Sequence, residues 1–301
     1  MKKETFDNII KNNLLQDRLS PSDFGYELTG KEPYLNYYEN NKMEKFINDM
    51  KTYYPNAYNK YYHGAGNELI EIKGKWGITP PKMASIASSS RFTYIALRDG
   101  TDALIPDYNI GKDEIIFEKE CRIFNRGSAP QLDAYIEHND CHYYIEAKCH
   151  EIFDPHKIQL KNKYYHIFNN DFKSLLKDVV KGKDTFILPK ENFGLTGKHL
   201  RFDVKQFMCH LLGIKNASNN KNSKLIYLFF KPMCDDTQIQ DEINKVFDKL
   251  KEEIITLFNH PAIKDYCKAN HIELQAIAQY SKVMTKLDHN NIEILYKPTG
   301  E

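Results

Sequence analysis

Arginine is scarce in this 301-residue chain: Arg18, Arg91, Arg98, Arg122, Arg126 and Arg201 are the only six, and there is a single tryptophan. Its 42 basic residues are matched by 41 acidic ones for a formal charge of +1. No global positive field announces a polyanionic partner, so a groove for one has to be built from local lysines. Lys, Asn, Tyr and Ile predominate instead, a bias better explained by AT-rich coding than by function, and the 20 tyrosines single out no base-stacking residue. No apolar run approaches twenty residues and no charged-then-apolar segment follows Met1. These absences point away from a membrane and towards a soluble, cytoplasmic protein with reduced thiols. Cys121, Cys141, Cys149, Cys209, Cys234 and Cys267 show no C-x-x-C pairing and no histidine at zinc-finger spacing, which argues against structural zinc. The stretch His63-Gly64-Ala65-Gly66-Asn67-Glu68-Leu69 has glycines but lacks the Lys-Ser/Thr ending of a phosphate loop, and no strand precedes it.

What the chain does carry is concentrated between Ala129 and Cys149. Leu132, Ala134 and Ile136 alternate with polar or mixed residues, and so do Tyr143, Ile145 and Ala147, which is the period of two half-buried strands. Asn139-Asp140 is the turn. With a two-residue loop, His138 faces Cys141 and the same register sets Asp133 opposite Glu146, with Lys148 further along the same side. Two opposed carboxylates repel unless a cation lies between them, and for hard oxygen donors that cation is divalent, Mg²⁺ with Mn²⁺ as a substitute. Lys148 supplies an ammonium to orient or help deprotonate an attacking water and to offset charge on a phosphate. A solvated face of ordinary charges is the plainer alternative, and the directly opposed like charges count against it.

Pro130, Asp133, Glu146, Ala147 and Lys148 resemble the core motif of the PD-(D/E)xK nuclease superfamily, with a looser Pro-to-Asp separation than the name implies. Three further features resemble bacterial restriction endonucleases of this superfamily: the serines Ser88-Ser89-Ser90 before the first strand, the Leu132-Asp133-Ala134 strand, and the Asp203-x-Lys205-Gln206 helix. Together these likenesses span residues 63–230. The resemblance implies that the Ala147 carbonyl joins Asp133 and Glu146 as a metal ligand, and that Glu68, on a helix ahead of the sheet, reaches the same site with Gly64 and Gly66 permitting close approach. Glu118 and Glu120 compete for that last role, because Ile115, Phe117, Cys121 and Ile123 alternate with them. The length of the Asn125–Ala129 connection leaves their parity undecided.

The expected fold is α/β: a restriction-endonuclease-like mixed sheet over residues 63–301, an N-terminal helical extension over 1–62 packed on it, and C-terminal helix and strand additions. Helices are expected over 3–18 (apolar stripe Phe6, Ile9, Ile10, Leu14, Leu15) and over 42–54, ended by Pro55. A short helix should present Glu68, and another should start at the serines, where Ser90 and Arg91 meet a DNA phosphate at the helix N-terminus. Residues 114–124 read as a strand that joins the hairpin in an antiparallel meander. An insertion follows over 150–200, helical near 170–182. The helix 201–214 should turn Phe202, Phe207, Met208, Leu211 and Leu212 inward, leave Asp203 and His210 polar, and place Lys205 and Gln206 at the mouth of the site as substrate contacts. Leu225–Phe230 reads as a strand buried on both faces, followed by a long helix from Thr237 to Phe258 and strands over 272–278 and 292–296. The functional expectation is a Mg²⁺-dependent endodeoxyribonuclease acting on double-stranded DNA, with a homodimer left open. A non-cleaving binding protein on the same fold and an enzyme acting on RNA remain the alternatives.

Overall fold

Asn139 and Asp140 both take positive φ, 48° and 59°, the left-handed pair that a two-residue type I′ turn requires. The hairpin they close has the expected register, from His138 opposite Cys141 to Ala134 opposite Ile145. The computed structural model describes residues 1–298 apart from 65, 67, 75–76, 101, 106–113, 126, 128 and 198. Ala65 and Asn67 of the glycine stretch, and Arg126 and Ser128 of the loop leading into the hairpin, lie outside the described residues.

The hairpin is the middle of a six-stranded sheet. Its strands are β1 (Ile116–Glu120), β2 (Gln131–His138), β3 (Cys141–Lys148), β4 (Asn222–Pro232), β5 (Ile272–Ser281) and β6 (Ile292–Tyr296), in the spatial order β6-β5-β4-β3-β2-β1. The meander β1-β2-β3 is antiparallel, β3, β4 and β5 are parallel, and β6 returns antiparallel to β5. The described residues form eight α-helices: α1 (Lys3–Asp17), α2 (Asn40–Tyr53), α3 (Pro55–His63), α4 (Ser89–Leu97), α5 (Tyr165–Asp171), α6 (Val204–Ala217), α7 (Thr237–Phe258) and α8 (Pro261–Ala269). Parallel neighbours need crossovers, and α6 serves the step from β3 to β4 while α7 and α8 serve that from β4 to β5. Both steps move the same way across the sheet, so right-handed crossovers put all three helices on one face, where their apolar residues share a cluster with Tyr135, Tyr144 and Tyr227. Gly213 lets α6 close on the sheet edge, since a Cβ there would lie 2.6 Å from the Cys121 carbonyl oxygen.

The N-terminal segment forms the opposite layer. Phe6, Met43, Met50 and Tyr61 share a second cluster with Ala134, Ile145 and Ile226, so residues 1–62 build one wall of the core. The strands of the hairpin are therefore covered on both faces and not half-buried as their alternation suggested: Tyr144 is as fully enclosed as Ile145.

Local differences from the sequence reading have identifiable causes. Pro55 does not merely end a helix but opens α3 as its first residue, where its missing N–H costs nothing. Glu68 lies on an irregular stretch after α3, not on a helix of its own. The insertion is α-helical at Tyr165–Asp171, mostly ahead of the expected 170–182, where a 3-10 turn follows at Lys173–Leu176, and a small sheet of Gln159–Lys161, Val180–Lys181 and Thr185–Ile187 organises much of the rest. β4 is buried on both faces as expected.

Candidate active site

The sheet is irregular around Asp133. Phe117 pairs with Ala134 and Lys119 with Leu132, leaving Glu118 and Asp133 facing each other across an unformed rung, with Glu118 at a φ of 53°. On the other side of β2, the regular ladder to β3 stops at Ala134 and Ile145, one residue short of Asp133 and Glu146. The Asp133 side chain bridges the gap, its Oδ2 accepting the Ala147 N–H at 2.7 Å. Strict alternation fails here: Leu132 joins the cluster of Tyr135 and Tyr144, not that of Ala134 and Ile136. Asp133 thus lies where the pairing of β2 is interrupted, and its carboxyl lines a cavity of about 670 Å³ shared with Glu146, Lys148, Glu118, Glu68 and Gln206.

Glu146 is 3% exposed, and its Oε1 accepts from Lys148 Nζ at 2.6 Å and from Gln206 Nε2 at 2.8 Å. Gln206 is positioned by the start of α6, where Asp203 caps the helix by accepting the Gln206 N–H. Burial alone would lower the Lys148 pKa, but Glu146, Glu151 and Asp133 outweigh it and raise the pKa above its ordinary value. Lys148 is therefore held as an ammonium. It can orient water and neutralise charge, and as a cation it eases deprotonation of a neighbouring water without itself taking the proton.

The carboxylates show the opposite stress. Burial, with Glu146 and Glu118 adding to it, drives the Asp133 pKa far up against the pull of Lys148 and the Ala147 N–H. Burial and the charges of Glu68 and Glu146 push Glu118 up to about 8 despite Lys82. Glu68 is 5% exposed; its Oε1 takes Lys82 Nζ at 2.9 Å, while its buried Oε2 has no partner among the described residues. A Cβ on Gly66 would come within 2.7 Å of Glu68 and 3.2 Å of Glu118, so the glycine makes room for this pair. Glu68 and Glu118 both line the cavity, and it is Glu118 that faces Asp133. Glu120 points away and pairs with Arg122 at the surface.

Among the described residues no group of three or more His, Cys, Asp or Glu side chains is arranged to hold a metal ion. The cavity nonetheless suits a hard divalent cation. Its donors are oxygens, it holds an orphaned buried carboxylate oxygen and a glycine cradle, and Asp133 and Glu118 are pushed towards protonation by burial first and by neighbouring carboxylates second. Mg²⁺ typically takes one or two carboxylates and completes its shell with water and substrate oxygens, so a closed protein cage is not required.

Two expected substrate contacts are elsewhere. Arg91 is 6% exposed, its guanidinium 4.0 Å from both the Tyr38 and Phe46 ring centroids and bonded to the Met83 carbonyl at 2.6 Å. It knits the N-terminal layer together and cannot reach a phosphate. Ser88, not Ser90, caps α4, while Ser90 lines the cavity wall. Arg91→Ala is expected to lower the unfolding free energy by roughly 2–4 kcal/mol without rescue by Arg91→Lys, because a desolvated, stacked planar cation is lost; an unchanged urea midpoint would refute this. Lys205 is exposed and lines a different cleft from its neighbour Gln206.

Several site residues went unnoticed in the sequence. His210, read as part of a polar helix face, is wholly buried, with Nε2 3.7 Å from Glu146 and Nδ1 3.1 Å from the Tyr227 hydroxyl. Burial lowers its pKa against the pull of Glu146. Glu151 accepts the Cys149 N–H at 2.7 Å and acts electrostatically on Lys148, and Asp7 of α1 reaches the rim through His150 at 3.0 Å. The His150-Glu151 pair, separated from Lys148 by Cys149, was a local signal that could have been used; Asp7 offered none. No family model, no curated protein and no solved structure matches this chain.

Proposed function

We propose that the protein is a Mg²⁺-dependent endonuclease of the restriction type that hydrolyses phosphodiesters of double-stranded DNA. One observation carries the reading: Asp133, Glu146 and Lys148 share one cavity, with the lysine held as a cation and the acids held under a repulsion that a divalent ion relieves. Asp133 and Glu146, with the Ala147 carbonyl, would hold the ion. When bound it would supply Lewis acidity, polarising a phosphodiester oxygen and easing deprotonation of the attacking water.

The chain's own residues do the positioning. Gln206 and Lys148 fix Glu146 through Oε1, with Oε2 3.7 Å from His210 Nε2, and the Ala147 N–H fixes Asp133 through Oδ2. The Lys148 ammonium, backed by Glu151, is available to orient the water and balance the negative charge that grows on the phosphate. Glu118 and Glu68 place two further carboxyl groups beside the ion's position, and a bound cation would favour their charged forms. In the restriction-endonuclease fold that this reading invokes, a meander, a helix and a parallel strand carry the motif; β1-β2-β3, α6 and β4 follow that order.

Incubation with supercoiled plasmid in Mg²⁺ should convert it to nicked and linear forms. EDTA should block conversion, and Lys148→Ala should cut the rate by at least ~10²-fold. A plasmid left intact by wild-type protein in both Mg²⁺ and Mn²⁺ would refute the reading.

A further inference from the structure

Beyond Glu151, the insertion between β3 and α6 has no part in the catalytic reading, yet it builds one side of a cleft of about 480 Å³ lined by Lys157, Lys161, Lys163 and Lys205 together with Tyr164 and Gln159. All four lysines are exposed. Lysines elsewhere find carboxylates, as Lys215 does with Asp171 and Lys221 with Glu137, but among the described residues none of these four has one within ion-pair distance. In a chain whose total charge is +1, four unneutralised ammonium groups around one cleft are a concentrated local field.

The cleft is structured. Lys161 is held in register by Thr185 across the small sheet, and Lys163 Nζ sits 4.4 Å from the Phe124 ring centroid and 5.6 Å from that of Tyr164. Burial raises the Cys209 thiol to about 11, while Tyr164, Lys205 and Lys163 pull against that rise, so both ammonium groups lie within electrostatic reach of one sulfur. Lys205 comes from the first turn of α6. Its chain neighbour Gln206 projects into the catalytic cavity and bonds Glu146, because consecutive helical residues point about 100° apart. The two clefts therefore meet at one helix end.

We propose that this lysine cleft binds the phosphodiester backbone of duplex DNA on the flank of the cleaved position. This rests on the endonuclease reading for the occupant of the neighbouring cavity. A duplex strand carries one charge per ~3.4 Å of rise, so a few nucleotides span from Gln206 into the cleft. Lysines contacting phosphates add affinity without sequence preference and make it depend on salt.

The test is fluorescence anisotropy of a labelled DNA duplex across a NaCl series in EDTA, comparing wild type with the triple variant Lys157→Gln, Lys161→Gln, Lys205→Gln and with the corresponding triple arginine variant. Lys163 is left in place because it packs on rings. The glutamine variant should lose about 2.7 from the slope of log affinity against log salt, at about 0.9 per phosphate contact, and the arginine variant should keep the wild-type slope. An unchanged slope in the glutamine variant, with an unchanged urea midpoint, overturns the proposal. So does wild-type preference for duplex RNA over duplex DNA. Plasmid cutting without any slope change would sink the cleft and leave the nuclease standing. A slope change in a protein that never cuts DNA would sink the nuclease and leave the cleft.

Discussion

Asp133→Asn is expected to abolish DNA cleavage, by at least ~10²–10³-fold, while leaving the metal-free protein as stable as wild type or more so. Two features of Asp133 set this expectation. Its carboxyl accepts the buried Ala147 N–H, and burial with the nearby Glu146 and Glu118 holds its pKa far above the usual range. Asparagine keeps an oxygen for the Ala147 N–H and carries no charge, so it resembles the protonated acid that the metal-free cavity already favours. Alanine behaves differently. Removing the side chain relieves repulsion but also orphans the Ala147 N–H at a cost of ~1–3 kcal/mol. Asp133→Ala should therefore be inactive and less stable than Asp133→Asn. Urea unfolding in EDTA and plasmid cutting in Mg²⁺ separate the two effects. Wild-type cutting rates in Asp133→Asn, Glu146→Gln and Lys148→Ala alike would remove the catalytic assignment altogether.

The hairpin was legible because everything that fixes it is local: two turn residues able to adopt positive φ, and apolar residues at period two on either side. Its register followed from the turn length alone. The connection from β1 was not legible in that way. Glu118 faces Asp133 because Glu120 pairs with Gln131, a register set by how the strands pack and not by any turn signal in residues 125–129. Arg91 shows a second limit. A cap and an arginine on a helix start look like an anion site, and the aromatic rings that claim the guanidinium come from Tyr38 and Phe46, dozens of residues earlier. His210 shows a third. Polar residues on a helix read as solvent-facing, but α6 lies over a sheet whose central residues are themselves charged, so its polar side is drawn inward towards Glu146. Pattern reading finds the apolar core well and misassigns polar groups wherever the core contains a site.

Stability of the metal-free protein should fall as pH rises towards 8, and Glu118 is the residue that tests this most directly. Its folded pKa is pushed up to about 8 from an ordinary 4.5, first by burial and then by Glu68 and Glu146, against Lys82. Below about 4.5 the acid is protonated in both folded and unfolded chains, and its contribution is fully present. Between about 4.5 and 8 the unfolded chain has released the proton that the folded chain retains, so folding takes up a proton and each unit of pH weakens it by on the order of 1 kcal/mol. Above about 8 the folded protein carries the charge as well and the loss levels off. Glu118→Gln removes this component, so its stability advantage over wild type should widen from pH 5 to pH 8 and then stay constant in urea titrations run in EDTA. Asp133, raised in the same direction, leaves a residual slope in the variant. Saturating Mg²⁺ should flatten the wild-type profile, because a bound cation favours the charged carboxylates and reverses the preference for protons. A stability difference between Glu118→Gln and wild type that is constant from pH 5 to pH 8 would show that this carboxyl titrates normally. It would also remove the crowded-acid argument that links the cavity to a divalent ion.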